Sequence, residues 1–100
     1  MQHPTKVPNL LEDVHSCLDR GRYLDTRHVT ERKLERSITR TEILYVLRTG
    51  FHEKKKDKFD EAYNSWNYAI RGKTMDTREL RIIISFGKNN MLIITAMELV

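Results

Sequence analysis

The chain has little cysteine, which cross-links small folds, and little proline or glycine, which end helices and form turns. Its 100 residues include one cysteine, two prolines, four glycines and one tryptophan. A lone cysteine, Cys17, cannot form an internal disulfide, and we recognise no signal peptide, so we expect a reducing, cytoplasmic setting. No apolar run approaches the roughly 18 residues that span a bilayer. We therefore predict no membrane partner.

Motifs for several kinds of chemistry are also missing. The glycines are scattered, and no Gly-rich phosphate-binding loop is present. The histidines and Cys17 do not have the spacing of a structural zinc site, so we predict no metal and no cofactor. His15 and Cys17 lie two residues apart in a predicted helix and point in different directions, which favours Cys17 as a core residue over a nucleophile.

Charged residues are plentiful and evenly spread. Lysine and arginine total 18 against 14 acidic residues, which gives a net charge of +4 and a pI near 9.4. Such an excess permits an anionic partner without requiring one. The length predicts a single domain with a small core. We place that domain at residues 9–100, after a flexible tail over residues 1–8 that holds both prolines.

Three helices are predicted in the first half of the chain. Glu12 and Glu42 each lie three residues after a candidate N-cap, Asn9 and Thr39, which is the spacing of a capping box. The second helix is poor in apolar residues, so packing against a core does not by itself explain its sequence. With their caps, the helices are predicted over residues 9–21, 26–36 and 39–50.

After Gly50 the apolar period changes from 3.6 to 2, which is typical of strands. Strands are predicted over residues 66–71, 80–86 and 91–97, with a weak edge strand over residues 51–56. Turns and loops are predicted over residues 54–61 and 72–77, and a hairpin over residues 87–90. The last two strands are apolar enough to lie centrally. The predicted fold is α+β, with about three helices packed on a three- to four-stranded antiparallel sheet.

A basic stripe marks the predicted second helix. His28, Arg32 and Arg36 follow one another at i, i+4 and i+8 and share one helix face. Stacked like charges repel, so the stripe favours an anionic partner such as phosphate, which arginine binds in a bidentate manner. Glu31 and Glu35 supply compensating ion pairs. A solvated surface helix therefore remains the alternative interpretation.

Metal-free RNA cleavage needs a base for the 2′-hydroxyl, an acid for the leaving 5′-oxygen and cations on the phosphate. Arg81 interrupts an apolar strand, where it needs a partner or a cleft unless that sheet face is solvated. Thr95 has the same ambiguity, since threonine is an ordinary strand residue. The candidate residues are His28, Arg32, Arg36, Tyr68, Arg71, Lys73, Arg81 and Thr95.

The order of the motifs adds a family resemblance that covers about residues 10–98. The motifs are Arg27-His28-x-x-x-Arg32, Glu-Arg-Ser-Ile-Thr at residues 35–39, Leu47-x-x-Gly50, Trp66-x-Tyr68-x-Ile70-x-Gly72, an Ile-rich strand bearing Arg81, and Ile93-Ile94-Thr95-Ala96. In this order they resemble the bacterial domain-of-unknown-function family forty-two fifty-eight.

The resemblance implies the fold of the barnase, EndoU, colicin and RelE ribonucleases. Its related members include metal-independent ribonuclease toxins that are paired with antitoxins. The last strand lacks the terminal Lys, His or Tyr of several RelE-like toxins, which leaves the general acid unassigned. The residues that match the family's helical and sheet positions are His28, Arg32, Tyr68, Gly72, Arg81 and Thr95.

We expect, from the resemblance, a toxin-type ribonuclease that cleaves single-stranded mRNA through a 2′,3′-cyclic phosphate. Its partners would be RNA and an antitoxin encoded nearby. His28 would act as general acid or base and Tyr68 on the leaving group, while the arginines and Lys73 hold phosphates. The alternative is a non-catalytic RNA- or protein-binding module of the same fold. A third hypothesis is an inactive domain that docks to a partner by strand addition.

Overall fold

A computed structural model describes residues 3–26 and 37–99. Within these residues two helices pack against a six-stranded sheet. The helices, α1 and α2, span Leu10–Asp19 and Arg40–Thr49. The strands β1 to β6 span Tyr23–Asp25, Phe51–His52, Lys58–Asp60, Ser65–Lys73, Glu79–Phe86 and Met91–Leu99, and a 3-10 turn spans Lys54–Lys56. Residues 27–36 of the predicted second helix lie outside the described residues, so that helix stays a prediction.

The sheet is mixed, which corrects the predicted antiparallel sheet of three to four strands. Strands β4, β5 and β6 form the predicted antiparallel meander, and β5 and β6 lie centrally as predicted. Strand β1 adds to β6 in parallel, and β2 and β3 pair in succession along β4. The added strands have two or three residues each, too few to display a period of 2.

The segment after α2 departs from two further predictions. The predicted edge strand over residues 51–56 has only two residues, because three successive lysines form the 3-10 turn. The predicted loop over residues 54–61 contains β3, which pairs with the start of β4. Together these short elements line one edge of β4.

Side chains alternate between the two faces of the sheet. The face toward the helices is apolar, and its central residues are at most 3% exposed: Tyr68, Ile70, Ile82, Ile84 and Ile93. The helices contribute buried Leu10, Val14, Leu18, Ile43, Val46 and Leu47. The opposite face, here called the open face, is not covered by either described helix. Its residues include Asn67, Ala69, Arg71, Lys73, Glu79, Arg81, Ile83, Ser85, Leu92, Ile94, Thr95 and Met97.

Local hydrogen bonds explain where the helices begin. Thr39 Oγ1 accepts from the Glu42 amide at 3.1 Å, and Glu42 Oε1 accepts from the Thr39 amide at 2.9 Å, so the capping box of α2 is confirmed. The box predicted for α1 is wrong, because the Asn9 side chain accepts no hydrogen bond from backbone and instead donates to the Glu12 carboxylate at 2.7 Å. Gly21, with φ at +67°, ends α1 in a left-handed conformation as predicted.

Residues 3–8, part of the predicted flexible tail, contact the sheet. The Trp66 indole N–H donates to the Pro4 carbonyl at 2.7 Å. The Lys6 ammonium lies 4.6 Å from the centre of the Trp66 ring, within the range of a cation–π contact. Residues 3–8 therefore complete the helix-facing side of the sheet.

Two glycines allow the end of α2 to approach β4 closely. A Cβ on Gly50 would lie 2.6 Å from the Arg71 carbonyl oxygen and 2.7 Å from that of Val46. A Cβ on Gly72 would lie 2.9 Å from the Gly50 Cα. Gly50 has φ of −78°, so the site requires space and not a left-handed backbone. This contact determines where the chain after α2 joins the sheet.

We predict that Gly50→Ala lowers the free energy of unfolding by about 2 kcal/mol, because the new methyl group meets backbone that cannot move aside. Gly87→Ala is the matched control, since its Cβ would come no closer than 3.4 Å to any neighbour. Urea denaturation of both variants gives the comparison. Equal stability of the two variants would contradict the close-packing argument.

Candidate functional site

Two arginines lie directly opposite each other on the open face, Arg71 on β4 and Arg81 on β5. Like charges in that position destabilise a sheet unless a counter-charge is present. Glu53 supplies it: Arg81 Nε and Nη2 donate to its two oxygens at 2.6 and 3.2 Å, and Arg71 Nη1 donates at 3.1 Å. Glu79 accepts from Arg71 Nε at 3.0 Å. We call these four residues the arginine cluster.

The backbone places Glu53 in the cluster. Glu53 follows β2 directly, and its amide donates to the Ala69 carbonyl at 2.8 Å. Its side chain is only 14% exposed, whereas that of Arg71 is 34% exposed. Sequence analysis indicated that Arg81 needs a partner but did not find Glu53, since no local pattern links residues 28 positions apart.

The cluster lowers the pKa of Glu53. The hydrogen bond from Arg81 is the largest influence and Arg71 adds to it, while desolvation acts in the opposite direction. The pKa of Arg71 is raised, chiefly by its hydrogen bond to Glu79. Glu53 is therefore a poor base, and its role is to orient the arginines. Each guanidinium has five N–H groups, of which the carboxylates use only a part, so donors remain for an oxyanion.

Lysines border the arginine cluster. Lys54, Lys55 and Lys56 follow Glu53 and are exposed, and Lys73 is exposed two positions after Arg71. The two acidic side chains of the cluster balance its two arginines. The positive charge at this end of the sheet therefore comes from the lysines, which are free to bind a polyanion.

The structure brings four of the predicted site residues to the open face: Arg71, Lys73, Arg81 and Thr95. Thr95 lies opposite Ile83, which is two residues after Arg81 on β5. Gly72, a further family position, has a packing role against Gly50. His28, Arg32 and Arg36 lie outside the described residues.

Tyr68, a further predicted site residue, lies on the helix-facing side of the sheet, whereas Arg81 lies on the open face. Its side chain is buried, and its hydroxyl oxygen accepts from the Val7 amide at 3.0 Å. Tyr68 and Arg71 are three positions apart on one strand, and strand alternation sends such residues to opposite faces. The structure does not bring the Tyr68 hydroxyl to the arginine cluster.

A buried carboxylate at the edge of β4 was not found by sequence analysis. Asp57 has 0% side-chain exposure, and its Oδ2 lies 3.1 Å from Lys6 Nζ and 2.7 Å from His52 Nε2. Its Oδ1 accepts from the Ala69 amide at 3.0 Å. A buried charge requires such partners, and these come from three separate segments. Asp57 therefore ties the N-terminal residues, β2 and β4 together.

Among residues 3–26 and 37–99, no group of three or more His, Cys, Asp or Glu side chains is arranged to hold a metal ion. Cys17 is a free, half-buried thiol on α1. Neither helix in this part of the chain has the length and apolar content to cross a membrane.

We predict that Glu53→Gln is less stable than the wild type at pH 7 by about 1 kcal/mol, because charge-assisted hydrogen bonds are lost. The pKa of Glu53 is lowered from 4.5 in the folded protein, so its contribution is complete above that value and is lost as pH falls through the folded-state pKa. The difference between the two proteins should therefore shrink on acidification, measured by urea denaturation at several pH values.

Glu61→Gln is the matched control for that experiment, because the Glu61 side chain is 85% exposed. It should follow the wild type at every pH. A constant difference between Glu53→Gln and the wild type down to pH values well below 4.5 would contradict the assigned ion pairing.

Asp57→Asn keeps an oxygen for the Ala69 amide but removes the charge that faces Lys6 and His52. We predict a loss of about 2 kcal/mol in the free energy of unfolding, because the charge-assisted hydrogen bonds of the buried carboxylate are replaced by weaker ones. Thermal denaturation tests this, with Glu61→Gln again as control. An unchanged melting temperature would show that the contacts of Asp57 do not stabilise the fold.

Comparison with known proteins identifies a family. Residues 26–98 match the family model described as Domain of unknown function (DUF4258). The match begins after β1 and includes α2 and the meander. No curated protein and no solved structure matches the chain. The match confirms the resemblance predicted from the order of the motifs, and the chain belongs to the DUF4258 family.

Proposed function

We propose that this protein is a small metal-independent ribonuclease that cleaves single-stranded RNA, as the toxin of a cytoplasmic toxin–antitoxin pair. The observation that supports this is the arginine cluster on a sheet face that no described helix covers. Single-stranded RNA offers phosphates to guanidinium groups and bases to an exposed sheet surface. The lysines beside the cluster extend the same charge complementarity to flanking phosphates.

In the proposed reaction the ribose 2′-oxygen attacks the adjacent phosphorus and the 5′-oxygen leaves, which produces a 2′,3′-cyclic phosphate. Arg71 and Arg81 donate hydrogen bonds to the non-bridging oxygens, where negative charge grows in the transition state. Both arginines are held in place before RNA binds, so little reorganisation is needed at that step.

Proton transfer is assigned to the segment that carries the basic stripe. Histidine suits this role because its ordinary pKa lies near neutral pH, and in the proposed reaction His28 either takes the 2′-hydroxyl proton or protonates the leaving oxygen. Arg32 and Arg36 would add further cations. Thr95 shares the open face and offers a hydroxyl for positioning. Tyr68 is left out of this mechanism, because its hydroxyl lies on the other side of the sheet.

A second candidate function is RNA binding without cleavage. Both arginines already have carboxylate partners, Glu53 and Glu79, as they would in a cluster that only holds the sheet and attracts an anion. RNA would then bind through the lysines and the remaining N–H donors. Affinity would fall steeply with salt, and no strand scission would follow.

We predict that the wild-type protein cleaves a labelled single-stranded RNA in excess chelator and leaves cyclic phosphate ends. His28→Ala and Arg32→Ala should each lower the rate at least about a hundredfold, the usual contribution of a proton-transfer or charge-stabilising group. Arg20→Ala, at an exposed arginine after α1, is the matched control and should retain the wild-type rate.

Activity that disappears with chelator would contradict the metal-independent mechanism. Wild-type rates in His28→Ala and Arg32→Ala would contradict the residue assignment. Salt-dependent binding with intact RNA would favour the second candidate function.

A further inference from the structure

A groove of ≈ 530 Å³ lies on the open face, at the end away from the arginine cluster. It is lined by Thr26 after β1 and by residues of the β3–β4 hairpin, of β5 and of β6, which include Asp60, Tyr63, Asn67, Ser85, Leu92 and Ile94. Asn67 precedes Arg71 by four positions, and Ser85 follows Arg81 by four positions. At about 3.3 Å per strand residue, each separation is about 13 Å. The groove and the cluster therefore belong to one continuous surface.

The floor and wall of the groove suit a flat ring. Leu92 and Ile94 are half-buried and form an apolar floor. Tyr63 stands at the side with 81% of its surface exposed, an unusual position for a large aromatic residue in a small domain. Unstacked bases of single-stranded RNA bind to such exposed aromatic rings.

The polar groups of the groove offer a defined acceptor. Asp60 Oδ1 accepts from the backbone amides of Ala62 and Tyr63 at 3.0 and 3.4 Å, which fixes the carboxylate. No described residue donates to its second oxygen, Oδ2. The Ser85 hydroxyl donates to the Trp66 carbonyl at 3.0 Å, so that hydrogen is already used.

We propose that this groove binds one RNA base that carries an exocyclic amino group, so that cytosine, adenine or guanine is preferred over uracil. This rests on the proposed action on RNA. The amino group donates to Asp60 Oδ2 while the ring stacks against Tyr63. Uracil presents a carbonyl oxygen in place of the amino group of cytosine, and two facing acceptors repel.

The charges divide the open face in a manner that matches a nucleotide chain. The carboxylate of Asp60 disfavours a phosphate in the groove, whereas the arginine cluster and its lysines attract one. A strand therefore runs with its backbone toward the cluster and one base in the groove. The groove selects which base lies near the phosphate that the arginines hold.

The test compares two 2′-O-methyl RNA oligomers of about ten nucleotides, one of cytidine and one of uridine. Neither can be cleaved, because the attacking 2′-hydroxyl is blocked. Fluorescence anisotropy should show about tenfold tighter binding of the cytidine oligomer by the wild type. Asp60→Asn keeps the oxygen that accepts from Ala62 and Tyr63 but loses the free carboxylate, and should reduce the preference to about twofold or less.

Two further variants separate this effect from charge and folding. Glu61→Gln makes the same charge change at the neighbouring exposed residue and should keep the tenfold preference. Tyr63→Ala removes an exposed ring and should weaken both oligomers about tenfold, with the ratio between them preserved.

Equal binding of the two oligomers by the wild type would overturn the base pocket and leave RNA binding at the arginine cluster intact. A preference that survives in Asp60→Asn would also overturn it, since another group would then select the base. Binding of neither oligomer would overturn the pocket and the proposed function together.

Discussion

The close approach of Gly50 to Gly72 is the constraint on which the open face depends. It brings the end of α2 against β4, so the chain that follows can pair with β4 at once. That pairing directs the Glu53 amide to the Ala69 carbonyl and the Glu53 carboxylate between Arg71 and Arg81. Because Gly50 has no side chain, the end of α2 can pack against β4, and this contact positions the Glu53 carboxylate beside the arginines on the open face.

The two faces of the sheet differ in what covers them. The helix-facing side is closed by α1, α2 and the N-terminal residues, and the buried Asp57 carboxylate ties three chain segments to its edge. The open face has half-buried apolar residues in its middle, arginines at one end and a groove at the other. One covered face and one open face are common where antiparallel strands predominate, as they do in the β4–β6 meander.

Local patterns predicted part of this arrangement. The capping box at Thr39 and the meander of β4, β5 and β6 are each encoded within a few residues, and both are confirmed. The short strands were missed because their pairing depends on contacts distant in the chain. Strand alternation places Tyr68 and Arg81 on opposite faces of the sheet, which the family positions alone do not reveal.

For the charged residues too, neighbouring residues in the sequence predict some features, while others depend on contacts between residues distant in the chain. An arginine within an apolar strand requires a partner, but only the fold reveals that Arg81 finds it in Glu53. Asp57 lies in a stretch that resembles a solvated loop, yet its side chain is buried. The groove could not be predicted, because Asp60 and Ser85 come together only through the hairpin of β3 and β4.

The most direct test of the account is an NMR titration of the isotope-labelled protein with uncleavable single-stranded RNA in chelator. Amide and side-chain shifts should concentrate at Arg71, Arg81, Ile83 and Thr95 on the open face. The outer side of α2, represented by Thr41, Tyr45 and Arg48, should not respond. Shifts confined to the helices, or no shifts at RNA concentrations that saturate other single-strand binders, would contradict the claim that RNA binds to the open face.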